Sequence, residues 1–365
     1  MSEIKKRKSE HIQICLERDV QSQLINTGFS DIHLIHRAIP RSSLQDVDLS
    51  ITLFDHTLSA PLIIEAMTGG TKKAAKINEA LAEAASHFNV AMGVGSQRVA
   101  LEDPGVESTF KVAREKAPHI LLIGNLGLPQ ILEDSSLVNI SRAIKMIDAD
   151  AFAIHLNILQ EAMQPDGDTY FTNFSADIKE IVSKTPVPLI AKETGSGIAF
   201  EEAQLLEDLG FKAIDVGGAG GTSWAAVEYH RARINNYKLQ ERLGNVFWDW
   251  GIPTAVSTFE VSQKTQLKVI SSGGIRTGVD AAKAIALGAD AFGLAIPLLK
   301  PALDGDLNSV FQMFINELKT AMFLVGARSI NELKNCPLVI TGKTGEWLQH
   351  RGFKPEKFAR RKSVS

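Results

Sequence analysis

Eight short apolar runs recur along the chain, at 62–67, 90–95, 120–125, 151–156, 189–192, 213–216, 268–271 and 291–295. They are nearly continuous rather than alternating, which is the pattern of parallel strands covered by helices on both faces. Between them lie amphipathic stretches, INEALAEAASHF, ADIKEIVSK, AFEEAQLLEDLG and GVDAAKAIALG, whose spacing predicts helices. Gly210 and Gly288 stand where a helix-terminating glycine is favoured, just before the next strand. Eight strand–helix units in one series predict an α/β fold, a closed (β/α)8 TIM barrel, with an open doubly wound sheet as the alternative.

No linker or low-complexity stretch divides the chain. Residues 1–58 are expected to form an N-terminal extension covering the barrel mouth, and 59–350 the barrel. Residues 218–266 read as a long insertion after the sixth strand, and 351–365 as a basic, solvated C-terminal tail.

Barrels work at the carboxyl ends of their strands. Strand seven ends in SSGGIRTG, where Gly273, Gly274 and Arg276 form a candidate phosphate site with Ala295 and Ile296 after strand eight. After strand six, GGAGGTSW adds Thr222 and Ser223 as a second wall. Lys192 closes strand five and needs an anion: either a ligand or a structural partner, Glu193 or Asp215. Strand four delivers His155 and Asn157 on one face, then Gln160 and Glu161. One carboxylate with no second histidine or carboxylate does not make a zinc cage, but it suits Mg²⁺, which keeps waters and takes phosphate ligands. Ala66, Met67 and Thr68, then Ser96, Gln97 and Arg98, then Asn125 offer uncharged polar groups and one cation at the first three strand ends.

Composition adds exclusions. The chain has 365 residues, 22% of them charged, and a net charge of −3, so no nucleic-acid partner is indicated. No apolar run is long enough to span a membrane, and no signal core follows the basic start. Cys15 and Cys336 form no metal spacing and read as free thiols of a reducing, cytoplasmic setting. By composition alone Arg7, Lys8 and His11 belong to a flexible, solvated arm.

With these segments assembled, the chain resembles the type 2, flavin-dependent isopentenyl-diphosphate isomerase family. The resemblance runs from RKSEH through AMTGG, VGSQR, NLG, HLNILQE with QPDGD, KETGSG, GGAGGTSW and SGGIRTG to LVGAR. It implies reversible interconversion of isopentenyl and dimethylallyl diphosphate by protonation and deprotonation, with reduced FMN, Mg²⁺ and NADPH or NADH as reductant. It further implies that Ala66, Met67, Thr68, Ser96, Asn125, Lys192, Thr222, Ser223, Gly273, Gly274, Arg276, Ala295 and Ile296 hold FMN. Arg7, Lys8, Ser96, Gln97, Arg98, His155, Asn157 and Gln160 would hold substrate, the last three at the reacting end, and Glu161 would hold Mg²⁺. That reading turns the basic arm into a diphosphate clamp. A homo-oligomer, tetramer or octamer, is also implied, with 223–250 as a candidate interface. The loop 163–173 is expected to close over bound diphosphate.

A 2-hydroxy-acid oxidase on the same barrel would need a histidine base after strand six. The chain has none between Lys192 and His230. An IMP-dehydrogenase-like barrel would need a cysteine there, and neither Cys15 nor Cys336 lies near it. A non-catalytic flavin binder would not require the strand-four cluster.

Overall fold

The structure is a computed structural model, and it describes residues 3–39, 42–132, 136–170 and 174–361. Eight strands close a barrel: β1 (Leu62–Ile64), β2 (Ala91–Gly93), β3 (Leu122–Gly127), β4 (Ala151–Leu156), β5 (Leu189–Glu193), β6 (Ala213–Asp215), β7 (Lys268–Ser271) and β8 (Ala291–Leu294). Each pairs in parallel with the next, and β8 returns to β1 through Phe292↔Leu62 and Leu294↔Ile64. All eight predicted strands are present, and the closed barrel replaces the open-sheet alternative.

Four helices matter for the site: α1 (Glu3–Glu17), α2 (Ile158–Met163), α3 (Trp224–Ile234) and α4 (Gly278–Ala286). The start of α4 is fixed by a capping box, in which Thr277 accepts from Asp280 N and the Asp280 side chain accepts from Thr277 N. That cap sets the direction of the Gly273–Arg276 turn just before it. The basic arm is helix α1, which corrects its composition-based reading. Ile12, Cys15 and Leu16 follow helical spacing, and Ile14 and Val20 pack with Ala226 and Val227 of the α3 region.

The extension divides between the two ends of the barrel, contrary to the expectation that all of 1–58 covers the mouth. The hairpin Ile51–Leu53/His56–Leu58 turns through Phe54 and Asp55, both at positive φ. Leu53 and Leu58 pack on Ile63, Ala91, Leu121, Ala151, Ile190, Ala213, Ile270 and Ala291, residues at or near the starts of the strands. The hairpin therefore plugs the end remote from the strand carboxyl termini. The 218–266 insertion also divides, because Thr254–Lys264 is an ordinary barrel helix packed on β7.

The C-terminal segment is not a solvated tail as far as it is described. Phe358 is buried against Phe259, and Arg361 stacks on Phe358 while donating to the carbonyls of Ala286 and Lys334. Its apolar residues offset its charge, which a count of lysines and arginines overlooks. Residues 171–173 of the predicted loop and 362–365 of the predicted tail lie outside the described residues. Among the described residues no helix is long and apolar enough to cross a membrane.

Candidate active site

Strand register places His155 beside Lys192, and Lys192 beside Asp215, on three consecutive strands. Lys192 Nζ lies 2.6 Å from Asp215 Oδ2 and 2.6 Å from Glu65 Oε2. Ser272 Oγ donates to Asp215 Oδ1. Burial alone would drive the Lys192 ammonium to lose its proton, but Asp215 and Glu65 outweigh it and hold its pKa above the ordinary value. Glu193, the other partner considered, is turned away. Its Oε2 accepts backbone N–H groups of Thr194, Gly195, Ser196 and Gly197 at 2.6, 2.6, 2.5 and 3.2 Å. Burial nevertheless pushes the Glu193 carboxyl up to about 7.

An open pocket, about 1000 Å³ with the solvent at its mouth included, lies beside Lys192. One end is made by Gly273, Gly274, Ile275 and Arg276 after β7 and by Ala295 and Ile296 after β8. The backbone N–H groups of Gly273, Gly274 and Ile275 make no hydrogen bond to the described residues. Unpaired donors beside a guanidinium are the chemistry of an anion site. Arg276 is itself held by Gln21 Oε1 at 2.5 Å. The other end holds Lys192, Glu65, Ala66, Met67 and Thr68, with Thr222 and Trp224 along the side. Ser223 does not face this space. Its hydroxyl accepts from Ala226 N as the cap of α3 and donates to Trp248 O at 2.6 Å, which corrects its place among the cofactor-facing residues.

At the end of β4, Asn157 and the short helix α2 build a second polar group. Asn157 Nδ2 donates to Gln160 Oε1 at 3.2 Å and to Glu161 Oε1 at 2.8 Å. Glu161 Oε2 accepts from Asp168 N at 3.0 Å, so one carboxylate oxygen is steered from each side. Gln160 Nε2 in turn donates to Glu228 Oε1 of α3 at 3.2 Å, and Gln164 Nε2 donates to the same oxygen at 2.9 Å. His11 Nε2 lies 2.9 Å from it, and Arg231 meets Glu228 Oε2 at 3.2 Å. Burial would raise the Glu228 carboxyl, but His11 and Arg231 overcome it and hold it down at about 2.

His155 Nδ1 lies 2.7 Å from Asn125 Oδ1, so that nitrogen carries the proton and Nε2 keeps its lone pair. Burial, then the charges of Lys192 and Lys8, lower its pKa to about 3. His155 is therefore neutral.

Helix α1 brings two cations to this end of the barrel. Lys8 Nζ donates to Ser96 O at 2.7 Å and lies over the Phe110 ring. Burial and the neighbouring Arg7 lower its pKa to about 7. Arg7 donates to Gln164 Oε1 at 2.8 Å and lies 3.8 Å from Asp166. Arg98 reaches Glu102 at 3.0 Å and Asp168 at 3.6 Å. Gln97 is different: its side chain is wholly buried in the barrel wall, donating to Ala143 O at 2.8 Å and accepting from Asn125 N at 3.0 Å. Its amide is used up in the wall, which corrects its assignment to substrate.

The sequence reading missed Glu65, Glu228, Gln164 and Gln21. Glu65 carried a usable signal, as the one charged residue in an otherwise apolar strand, the argument that singled out Lys192. Glu228 sits in AAVEYHRAR, where nothing in the spacing distinguishes a buried carboxylate from a solvated one.

A family model described as FMN-dependent dehydrogenase matches residues 142–339. The chain is 48% identical over 360 residues to an isopentenyl-diphosphate delta-isomerase of Methanothermobacter thermautotrophicus, covering 98% of this chain and 99% of the relative. It is 47% identical over 361 residues to an isopentenyl-diphosphate delta-isomerase of Methanosarcina barkeri, covering 98% of each. A solved mandelate oxidase variant superposes with a TM-score of 0.61 at 17% identity, over 93% of this chain and 100% of that one, a likeness of fold.

Proposed function

The chain belongs to the isopentenyl-diphosphate delta-isomerase family of FMN-dependent barrels, and on that premise we propose that it interconverts isopentenyl and dimethylallyl diphosphate, using reduced FMN and a Mg²⁺ held at Glu161. One observation carries the reading: the Gln160–Glu228–His11 chain of hydrogen bonds stands beside a basic helix at the same end of the barrel as the anion-lined cavity. A proton path and a diphosphate clamp would thereby stand beside the cofactor pocket, which His11 lines.

The residues present fit FMN. Unpaired N–H groups at Gly273–Ile275 and the Arg276 guanidinium suit its phosphate, and the Lys192–Glu65 end suits the polar edge of its ring. Thr68, Met67, Ala66, Thr222, Ala295 and Ile296 would line it, with Asn125 and Ser96 near the ring. Bound and reduced by NADPH or NADH, the flavin supplies an electron-rich surface that stabilises developing positive charge and exchanges protons. The residues also fit Mg²⁺. Among the described residues no group of three or more His, Cys, Asp or Glu makes a metal cage, and Mg²⁺ needs only one or two carboxylates when substrate phosphate and water complete its shell.

The chain's own residues then do the following. Arg7, Lys8 and Arg98 receive the diphosphate, whose remote binding energy fixes the hydrocarbon end in place. Asn157 orients Gln160 and Glu161 together, so that the metal and the reacting end are set by one amide. His155 is neutral in the free site, and a bound diphosphate's negative charge would draw it toward its protonated form, against the burial and the two lysines that hold its pKa down. Gln160 is neither a strong acid nor a strong base; it positions the alkene end and links it to Glu228 and His11. With water excluded, the electron-rich cofactor face and the Glu228 carboxylate, rather than solvent, would offset the cationic character that alkene protonation creates.

The protein is also proposed to be a cytoplasmic homo-oligomer. Ile234, Leu239, Val246 and Trp250 are exposed along the segment suggested as an interface.

Turnover in deuterated water tests the reading. Solvent deuterium should enter both the recovered substrate and the product. Product without solvent label would contradict a protonation–deprotonation route.

A further inference from the structure

Glu65 has one oxygen that no described residue uses. Its Oε2 is held by Lys192 at 2.6 Å, while Oε1 is buried and without a hydrogen-bond partner. Among the described residues only Ser42 Oγ shares that condition. The residue is 6% exposed and lines the cavity beside Lys192, Met67 and Thr68. An unsatisfied buried oxygen forfeits its solvation with nothing in return, so a native site that keeps one has a use for it. The barrel wall makes room for the group: a Cβ at Gly293, on the adjoining strand β8, would lie 1.7 Å from Oε1. Glycine at 293 is therefore part of the same arrangement.

We propose that Glu65 is a cofactor-binding residue, whose Oε2 is fixed by Lys192 and whose Oε1 donates a hydrogen bond to the polar edge of the flavin ring. This inference rests on the flavin reading above and adds to it a group that sequence reasoning did not find.

Charge counting supports one proton on the Glu65 carboxyl, and Oε1 is its oxygen without a partner among the described residues. Lys192 carries one positive charge against two carboxylates, so the cluster has a net charge of −1 if both are ionised. Both Asp215 oxygens already accept, Oδ2 from Lys192 and Oδ1 from the Ser272 hydroxyl. The remaining carboxyl takes the proton: burial and then the Asp215 charge push Glu65 up to about 8, against the opposing pull of Lys192. Among the described residues, His11, Glu193 and Arg276 line the same cavity, but the charges acting on Glu65 are those of Lys192 and Asp215. The neighbouring strands β2 and β8 carry only Ala, Met, Gly, Phe and Leu, and β7 contributes Ser272. A protonated carboxyl can donate to a ring carbonyl or ring nitrogen, and it leaves the cluster neutral toward a phosphorylated ligand.

The sign follows. Ligand binding favours protonated Glu65, so FMN affinity is full below about pH 8 and declines as Glu65 ionises. Lys8 and Glu193 also titrate near pH 7, so the comparison with Glu65→Gln, rather than the wild-type profile alone, isolates Glu65. The amide keeps a donor and cannot ionise.

The experiment is an FMN titration of the apoprotein by flavin fluorescence between pH 7 and 9, for wild type, Glu65→Gln and Glu65→Ala. Wild-type affinity should fall about tenfold across that range. Glu65→Gln should bind within about twofold of wild type at pH 7 and stay flat, and Glu65→Ala should bind about tenfold more weakly at pH 7. If Glu65→Ala lacks a cooperative melt, the Glu65→Gln comparison decides alone. A Glu65→Gln profile with the wild-type slope, or a folded Glu65→Ala with wild-type affinity, overturns the proposal. Failure of the wild-type protein itself to bind FMN overturns both this inference and the flavin reading, whereas three identical titrations overturn this inference only.

Discussion

Gln160 Nε2 lies 3.2 Å from Glu228 Oε1, which joins the end of strand β4 to a helix 68 residues further along the chain. The contact matters because Glu228 is an ionised, buried carboxylate, and Gln160 is the group proposed to link it to the substrate. Replacing Glu228 by Gln leaves the shape but removes the charge that balances His11 and Arg231. Turnover should fall about 100-fold or more, while FMN affinity stays within about twofold. Equal loss of FMN binding would mean that Glu228 acts only through the fold.

Lys8 gives the clearest pH dependence. Its ammonium is the group proposed to hold diphosphate, and burial has brought its pKa down to about 7. A lowered lysine pKa means that the charged form is present below about 7 and is lost above it. The rate constant kcat/KM should therefore decline on the alkaline side of about pH 7. Lys8→Met should lower kcat/KM at pH 6.5 by about 100-fold and flatten that limb. An unchanged alkaline limb in Lys8→Met would assign the titration to another group.

Mg²⁺ demand should depend on Glu161. Its two oxygens are each steered by one donor, Asn157 Nδ2 and Asp168 N, and each retains lone pairs for a cation. In Glu161→Gln the Mg²⁺ concentration for half-maximal turnover should rise at least about tenfold. FMN affinity, measured without substrate, should not move.

The hairpin plug makes a prediction about stability rather than chemistry. Leu53 is 1% exposed and packs against the starts of the barrel strands. Leu53→Ala should cost about 3 kcal/mol in urea unfolding, with KM unchanged at a temperature where the variant stays folded. A loss of substrate affinity equal to that of Lys8→Met would place the hairpin at the wrong end.

The barrel was legible because its strands are written as continuous apolar runs, and because the glycines at 210 and 288 mark two of the helix-to-strand junctions. Strand-end chemistry followed from the same register: His155, Asn157 and Lys192 come together because neighbouring strands end at matching heights. What sequence could not supply was direction. Gln97 and Arg98 are adjacent in VGSQR, yet one amide turns into the wall and the other side chain stays half-exposed toward Asp168. Thr222 and Ser223 divide in the same way, one into the cavity and the other into a helix cap. The hairpin was hidden because its turn uses Phe54 and Asp55 in left-handed conformations, without the glycine or asparagine that announces such a turn. Glu228 was hidden by distance, since only tertiary packing tells a buried helical carboxylate from a solvated one.

The central claim is tested most directly by anaerobic incubation of isopentenyl diphosphate with the protein, FMN, Mg²⁺ and NADPH, with products identified by NMR and NADPH followed by absorbance. The account predicts dimethylallyl diphosphate in many-fold excess over flavin, with NADPH consumed only to reduce the flavin once. A flavin that reduces normally while no dimethylallyl diphosphate forms, or product formed one-for-one with NADPH, would contradict it.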